Sequence, residues 1–342
     1  MTDYTYDKLK IALTGDFYVD QKVVFNFIFQ RVTTGDKYIP TDILILAASY
    51  LGDDITKFRR LIMEDEDLYV AVLLLILRDG QIDVFKRKKI ADLLVEYAKK
   101  RKPTNPPEKG RFNYNLTSNF EKKFYQKVAN TAPGENLEEF PYYAIYYEAA
   151  YVYIELGQQV ASFPLLGHAH QWNPFSPKVI HQICEWVKRE QDEANLMRIS
   201  TWFLRVVYSF DYIGIAMRYV GYSYYLSGEY EKAYAFYFQS LRYEVKGVTP
   251  NLNEEMNEIL NKLGVEEPYE LTPSDLKKLF PNPAERPVPS ETVFDVVREL
   301  MVEHFYQKEY TEVLRFAPHY EKVRPSDTKI ARIIKTSQKQ LA

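Results

Sequence analysis

Four side chains near the middle of the chain are of types that invite chemistry: His168 and His170 in Gly-His-Ala-His, then His181 and Cys184. Imidazole nitrogen and thiolate are zinc ligands, and a cysteine paired with a histidine is the raw material of a nucleophile. The spacing argues against both. Helical residues two apart point to different sides, whereas zinc sites favour positions four apart or a tight Cys-x-x-Cys. Glu64, Asp65, Glu66 and Asp67 form an acidic run, and Lys86-Arg87-Lys88-Lys89 and Lys99-Lys100-Arg101-Lys102 form basic ones. The acidic run reads as a solvated helix junction, the basic runs as a solvated face and a helix C-terminus. No phosphate-cradling glycine loop, Gly-x-Ser-x-Gly elbow or His-Glu-x-x-His occurs in the sequence. The expectation is a protein without catalytic residue, metal ligand or cofactor.

What must position any functional residue is helical. Of 342 residues 46% are hydrophobic, enough for a sizeable core, and the length allows two domains. With 44 basic against 47 acidic residues the net charge is -3, which lacks the basic excess of a nucleic-acid binder. The single Cys184 excludes an internal disulfide and fits a reducing compartment. The first residues have neither a basic segment nor an apolar stretch behind them, so no secretory signal is expected and the cytoplasm is the expected location. Asn115-Leu116-Thr117 then matches a glycosylation acceptor only by chance. The most hydrophobic run, Leu68 to Leu77, is about half the ~20 residues a membrane span needs, and it reads as a buried helix.

The clearest pattern runs from Met217 to Leu241. Gly221 lets two helices approach, Tyr224 fills the gap beside it, and Ser227-Gly228 ends the first helix. Glu229-Tyr230-Glu231 opens the second helix with acids suited to an N-terminus. Ala233 is small where the helices cross, and Tyr237 and Leu241 return to that seam at helical spacing. The segment is similar to the tetratricopeptide repeat almost position for position.

One such hairpin cannot bury its own apolar face, so copies are expected. Tyr146, Ala149, Ala150, Tyr153, Gly157, Ser162, Leu166, Ala169 and Pro174 fall in the motif order. Between the two lie Ile180, Ile183, Cys184 and Val187, a break at Asp192, and Trp202, Leu204 and Val207; Cys184 takes the place of the small glycine. Units opening at Tyr143, Pro177 and Gly214 give spacings of 34 and 37. A fourth unit, with Val297, Leu300, Met301, His304, Tyr310, Val313, Ala317 and Pro325, lacks the glycine. Pro318 inside its second helix implies a kink or an early stop. Asp327 to Leu341 reads as a capping helix, with Ile330, Ile333 and Ile334 inward and Lys329, Arg332, Lys335 and Lys339 elsewhere.

The resemblance implies an all-α fold, a right-handed α-α superhelix of helical hairpins preceded by an N-terminal helical domain. The proline-rich stretch 103–110 sets the expected division: an N-terminal domain over 1–102, a linker and connecting helix over 103–140, and the repeat domain over 141–342 with an insert near 251–290. N-terminal helices are expected near 7–14, 19–33, 40–51, 54–64, 67–79 and 82–101.

In the repeat family the first helix of each hairpin lines a concave groove. Carried onto this chain, the groove positions are Tyr147, Tyr151, His181, Gln182, Glu185, Lys188, Arg189, Arg218, Tyr219, Tyr222 and Tyr225. Tyrosine and arginine are frequent interface anchors, and Arg189 and Arg218 suit a carboxylate. These side chains are expected to be partly solvated, with packing against the next helix as each tyrosine's alternative. The resemblance thus implies a non-catalytic scaffold that captures a peptide segment of a partner protein. The alternative is a signalling regulator resembling the bacterial Rap and peptide-pheromone sensors, whose repeats sense a small peptide. A third reading is an enzyme of unrecognised type.

Overall fold

The computed structural model describes residues 9, 13–33, 39–50, 65–102, 113–130, 137–243 and 251–341. The described residues form helices and no strand. In chain order these are α1 (Phe17–Thr33), α2 (Thr41–Tyr50), α3 (Glu66–Arg78), α4 (Val84–Lys100), α5 (Asn119–Ala129), α6 (Tyr142–Glu155), α7 (Gln159–Trp172) and α8 (Pro177–Arg189). They continue as α9 (Glu193–Val206), α10 (Phe210–Leu226), α11 (Tyr230–Ser240), α12 (Leu252–Leu263), α13 (Pro273–Leu279), α14 (Glu291–Tyr306), α15 (Tyr310–Val323) and α16 (Thr328–Leu341). The chain is all-α. The expected helices at 19–33, 40–51, 67–79 and 82–101 correspond to α1 to α4. The one expected at 54–64 and the proline stretch 103–110 lie outside the described residues, and 7–14 is described only at Leu9, Leu13 and Thr14.

Two compact units result, Met1–Asn115 with Glu138–Trp172, and Leu116–Leu137 with Asn173–Ala342. This division differs from the expected one at 103–140, because the hairpin α6–α7 packs with the N-terminal helices: α6 lies on α4 and α3. In that unit α3 is covered by α1, α2, α4 and α6, which is why its residues 68–77 are apolar on every side. No described helix is long and apolar enough to cross a membrane. The charged runs turn out to be partly structural. Arg87 is only 4% exposed; its guanidinium donates to the carbonyls of Ile82 (3.0 Å) and Leu77 (3.3 Å) and pairs with Glu155. Arg101 grips Glu66 with two bonds of 2.6 and 2.9 Å and lies 4.1 Å over Phe140. The solvated reading therefore fails for Arg87 and Glu66, because neighbouring elements supply partners that the local pattern does not show, whereas Arg101 stands at the C-terminus of α4 as expected; Glu64 lies outside the described residues.

The second unit is built from hairpins α8–α9, α10–α11 and α14–α15. Each first helix ends in the same three-residue turn. At α10, the Gly228 amide donates to the Tyr225 carbonyl and the Glu229 amide to Tyr224, with Gly228 at φ +79°. This double bond pattern satisfies the last carbonyls of the helix and reverses the chain. Gln191 and Asp192 repeat it after α8, and Lys308 and Glu309 after α14. Gln191 and Lys308 adopt the left-handed conformation, φ 54° and 62°, without being glycine. In the first unit, Gly157 and Gln158 make the same turn after α6.

Gly221 sits at the α10–α11 crossing: a Cβ there would stand 2.6 Å from the Tyr237 ring and 3.2 Å from the Ala233 carbonyl. The third hairpin opens at Phe210, one turn before the expected Gly214. Pro318 does not stop α15, which continues to Val323. Val313, Phe316, Ala317 and Tyr320 are buried along it, and that contact outweighs the lost backbone bond. In α16 the isoleucines 330, 333 and 334 are buried as expected.

Candidate functional site

On α8, Ile180, Ile183, Cys184 and Val187 turn into the core, and His181, Gln182, Glu185, Lys188 and Arg189 occupy the opposite face at helical spacing. That face meets Ile215, Arg218 and Tyr219 of α10 and Asn251, Leu252 and Glu255 at the start of α12. Together they line a polar cleft of about 520 Å³. Seven of the eleven expected groove residues lie on it.

Two hydrogen-bonded networks fix its walls. The Tyr219 hydroxyl donates to the Glu185 carboxylate and lies 2.8 Å from His181 Nδ1. With its proton committed to Glu185, Tyr219 accepts from an Nδ1–H, which leaves His181 Nε2 as the free acceptor. Burial lowers the His181 pKa, and Arg218 lowers it further against the opposing pull of Glu185, so the ring is neutral at pH 7. Burial, then Glu185, holds the Tyr219 phenol well above 10. The second network joins α8 to α12: Lys188 Nζ is 2.5 Å from Glu255 Oε1, and the Tyr237 hydroxyl donates to Oε2 at 2.9 Å. Lys188 also lies 4.6 Å over the Tyr222 ring, which stacks on Tyr225. Tyr225 donates to Glu258, and that bond, with burial second, pushes its pKa up to about 12.

The expectation of partly solvated groove side chains fails for Arg218 and Tyr219, which are 8% and 4% exposed. Both are enclosed because α12 forms a third wall. Arg189 is exposed and Gln182 half-buried at the same cleft. Tyr147 and Tyr151 belong to the other unit and do not line this cleft; Tyr147 stacks on Tyr143 along α6 and meets Tyr151 at a tilt. Sequence reasoning misses Glu255, Leu252 and Asn251, because 251–290 reads as an insert. The acidic first turn and amphipathic face of α12 were the signal that could have placed them.

The residues first singled out are dispersed. His168, 3.3 Å from Gln171 and 5.0 Å from the Tyr146 ring, and His170 are in the first unit, whereas His181 and Cys184 are in the second. Among the described residues no three potential ligands gather. Cys184 is fully buried, and burial followed by Glu185 pushes its thiol far up, so it carries no thiolate at neutral pH. Compared with known proteins, the chain matches no family model and no curated sequence.

Proposed function

We propose that this chain is a non-catalytic interaction scaffold, resembling tetratricopeptide-repeat proteins, that holds a peptide segment of a partner protein against α8, α10 and α12. The observation that carries this reading is the convergence of seven groove positions on one cleft whose volume lies in the ordinary range of binding sites, ~300–1,000 Å³. Its chemistry suits an extended polar chain. His181 Nε2 accepts from a peptide N–H, Arg189 at the rim pairs with an acidic group, and the Tyr222–Tyr225 pair offers an aromatic ledge. The preset networks lower the ordering cost of binding. Within this reading the single buried cysteine supports a reducing compartment, the cytoplasm.

A photo-cross-linking residue at Gln182, with a control at exposed Val160, tests it in cells. A peptide captured at 182 and not at 160 is then measured with Arg189→Glu, which should weaken binding about tenfold or more and leave the unfolding midpoint unchanged. Equal capture at both positions, or binding insensitive to Arg189→Glu, rejects the cleft as the site.

A further inference from the structure

The outward face of α16 carries Lys329, Arg332, Lys335 and Lys339, all exposed, and the helix has no acidic residue. At ~100° per residue the four cations fall within about 120° of arc, opposite the buried isoleucines, and they span ~15 Å. Consecutive members are three or four apart, the spacing at which like charges repel. No member of the stripe forms an ion pair among the described residues, whereas Arg298 and Arg324, on either side of this packing, do.

The same unit carries a complement. Between Glu254 and Glu270 the sequence has six glutamates and one lysine. Glu255 and Glu258 are engaged by Lys188 and Tyr225, but Glu254, Glu266, Glu267 and Glu270 are exposed and form no ion pair among the described residues. Two opposite, uncompensated patches that do not meet within one chain can meet between two chains. The net charge of -3 leaves little overall repulsion to oppose that approach.

We propose that the cationic face of α16 docks a second copy of this chain through the acidic segment 254–270, in a head-to-tail contact. The two surfaces differ, so the contact is heterologous, and a pair of copies keeps one free patch of each sign, the acidic one on one copy and the cationic one on the other. Association is weak and electrostatic: it strengthens at ~0.01 M ionic strength, where charges act over ~30 Å, and disappears at ~1 M, where they act over ~3 Å.

Sedimentation velocity of the full chain across protein concentration, at both ionic strengths, provides the test. The expected result is a sedimentation coefficient that climbs with concentration at low salt only. Reversing the stripe (Lys329→Glu, Arg332→Glu, Lys335→Glu, Lys339→Glu) should weaken association roughly tenfold or more, as should reversing the acidic set (Glu254→Lys, Glu266→Lys, Glu267→Lys, Glu270→Lys). Combining all eight in one chain should restore it. Circular dichroism melts establish that each variant is folded. A concentration-independent coefficient at low salt, undiminished association in either reversed chain, or no recovery in the combined chain overturns the proposal. Capture of duplex RNA or anionic vesicles by a wild-type chain that remains monomeric overturns it in favour of another occupant.

Discussion

Gln191 and Lys308 bear side chains at backbone angles that ordinarily cost an L-residue about 1–2 kcal/mol relative to glycine. They tolerate it because the turn bonds and the packed hairpins on either side hold the conformation. Gln191→Gly and Lys308→Gly should therefore raise stability by ~0.5–1 kcal/mol, reduced by the greater freedom of glycine in the unfolded chain. Gly228→Ala should do the reverse. Urea titrations of the three variants check this, and a loss of stability in both glycine variants would show that the turn costs nothing. Arg87 is the second residue whose environment decides its role. Arg87→Ala strands two carbonyls and Glu155, and is expected to lower stability by about 3 kcal/mol or more, far beyond what a solvated arginine would do. A change under ~0.5 kcal/mol in the same titration would return Arg87 to the surface. The same logic sorts the cleft. Arg218 and Tyr219 are buried, so their removal would confound the proposed binding with folding, whereas Arg189 and Gln182 test that proposal without disturbing the core.

Helix pairs in the second unit are fastened by groups that titrate in acid. Asp327 caps α16, accepting from the Ile330 amide at 3.1 Å, and also receives Arg298 (2.7 Å) and the Tyr320 hydroxyl (2.8 Å), tying α14, α15 and α16 together. Burial opposes its charge, but those bonds prevail and hold its pKa at about 2. The depressed value means that its contribution is complete above ~3.9 and is lost as pH falls toward 2. His319 acts earlier. Its Nδ1 accepts the Phe210 amide at the start of α10 (3.3 Å), and burial lowers its pKa against the pull of Asp211. The neutral ring stabilises fully above ~6.5, and that support is lost as pH falls through the lowered value. The unfolding midpoint should thus drop in two acid steps, the first flattened by His319→Gln and the second by Asp327→Asn; identical pH profiles in all three proteins would contradict both assignments. How far elements were legible follows from such details. The turns at Gly157 and Gly228 announce themselves because glycine marks the left-handed position, while Gln191 and Lys308 hide the same turn by relying on tertiary contacts. The face of α8 was legible from its period. The third wall was not, because the partner of Lys188 is Glu255, 67 residues away.

At the scale of the molecule, the division into two packed units has an energetic consequence. The hairpin α6–α7 shares the repeat-like turn of the later hairpins yet shares its core with α3 and α4, so its opening should follow the first unit. Gly221→Leu provides the perturbation, since a side chain there meets the Tyr237 ring and the Ala233 carbonyl, an overpacking worth ~1–3 kcal/mol. Because tertiary packing, more than helix propensity, sustains helices of this length, the loss should spread through α10 and its packing partners α9 and α11. Native-state hydrogen exchange reads this directly. Amides of α9, α10 and α11 should lose protection in the variant by the full destabilisation, and those of α3, α4 and α6 should keep theirs, as expected of separate cooperative units. An equal fall across both sets would make the chain one cooperative body and the hairpin α6–α7 a part of the same stack. A loss confined to α10 and α11, with α9 unchanged, would instead show hairpins opening one at a time, the behaviour of a linear repeat array.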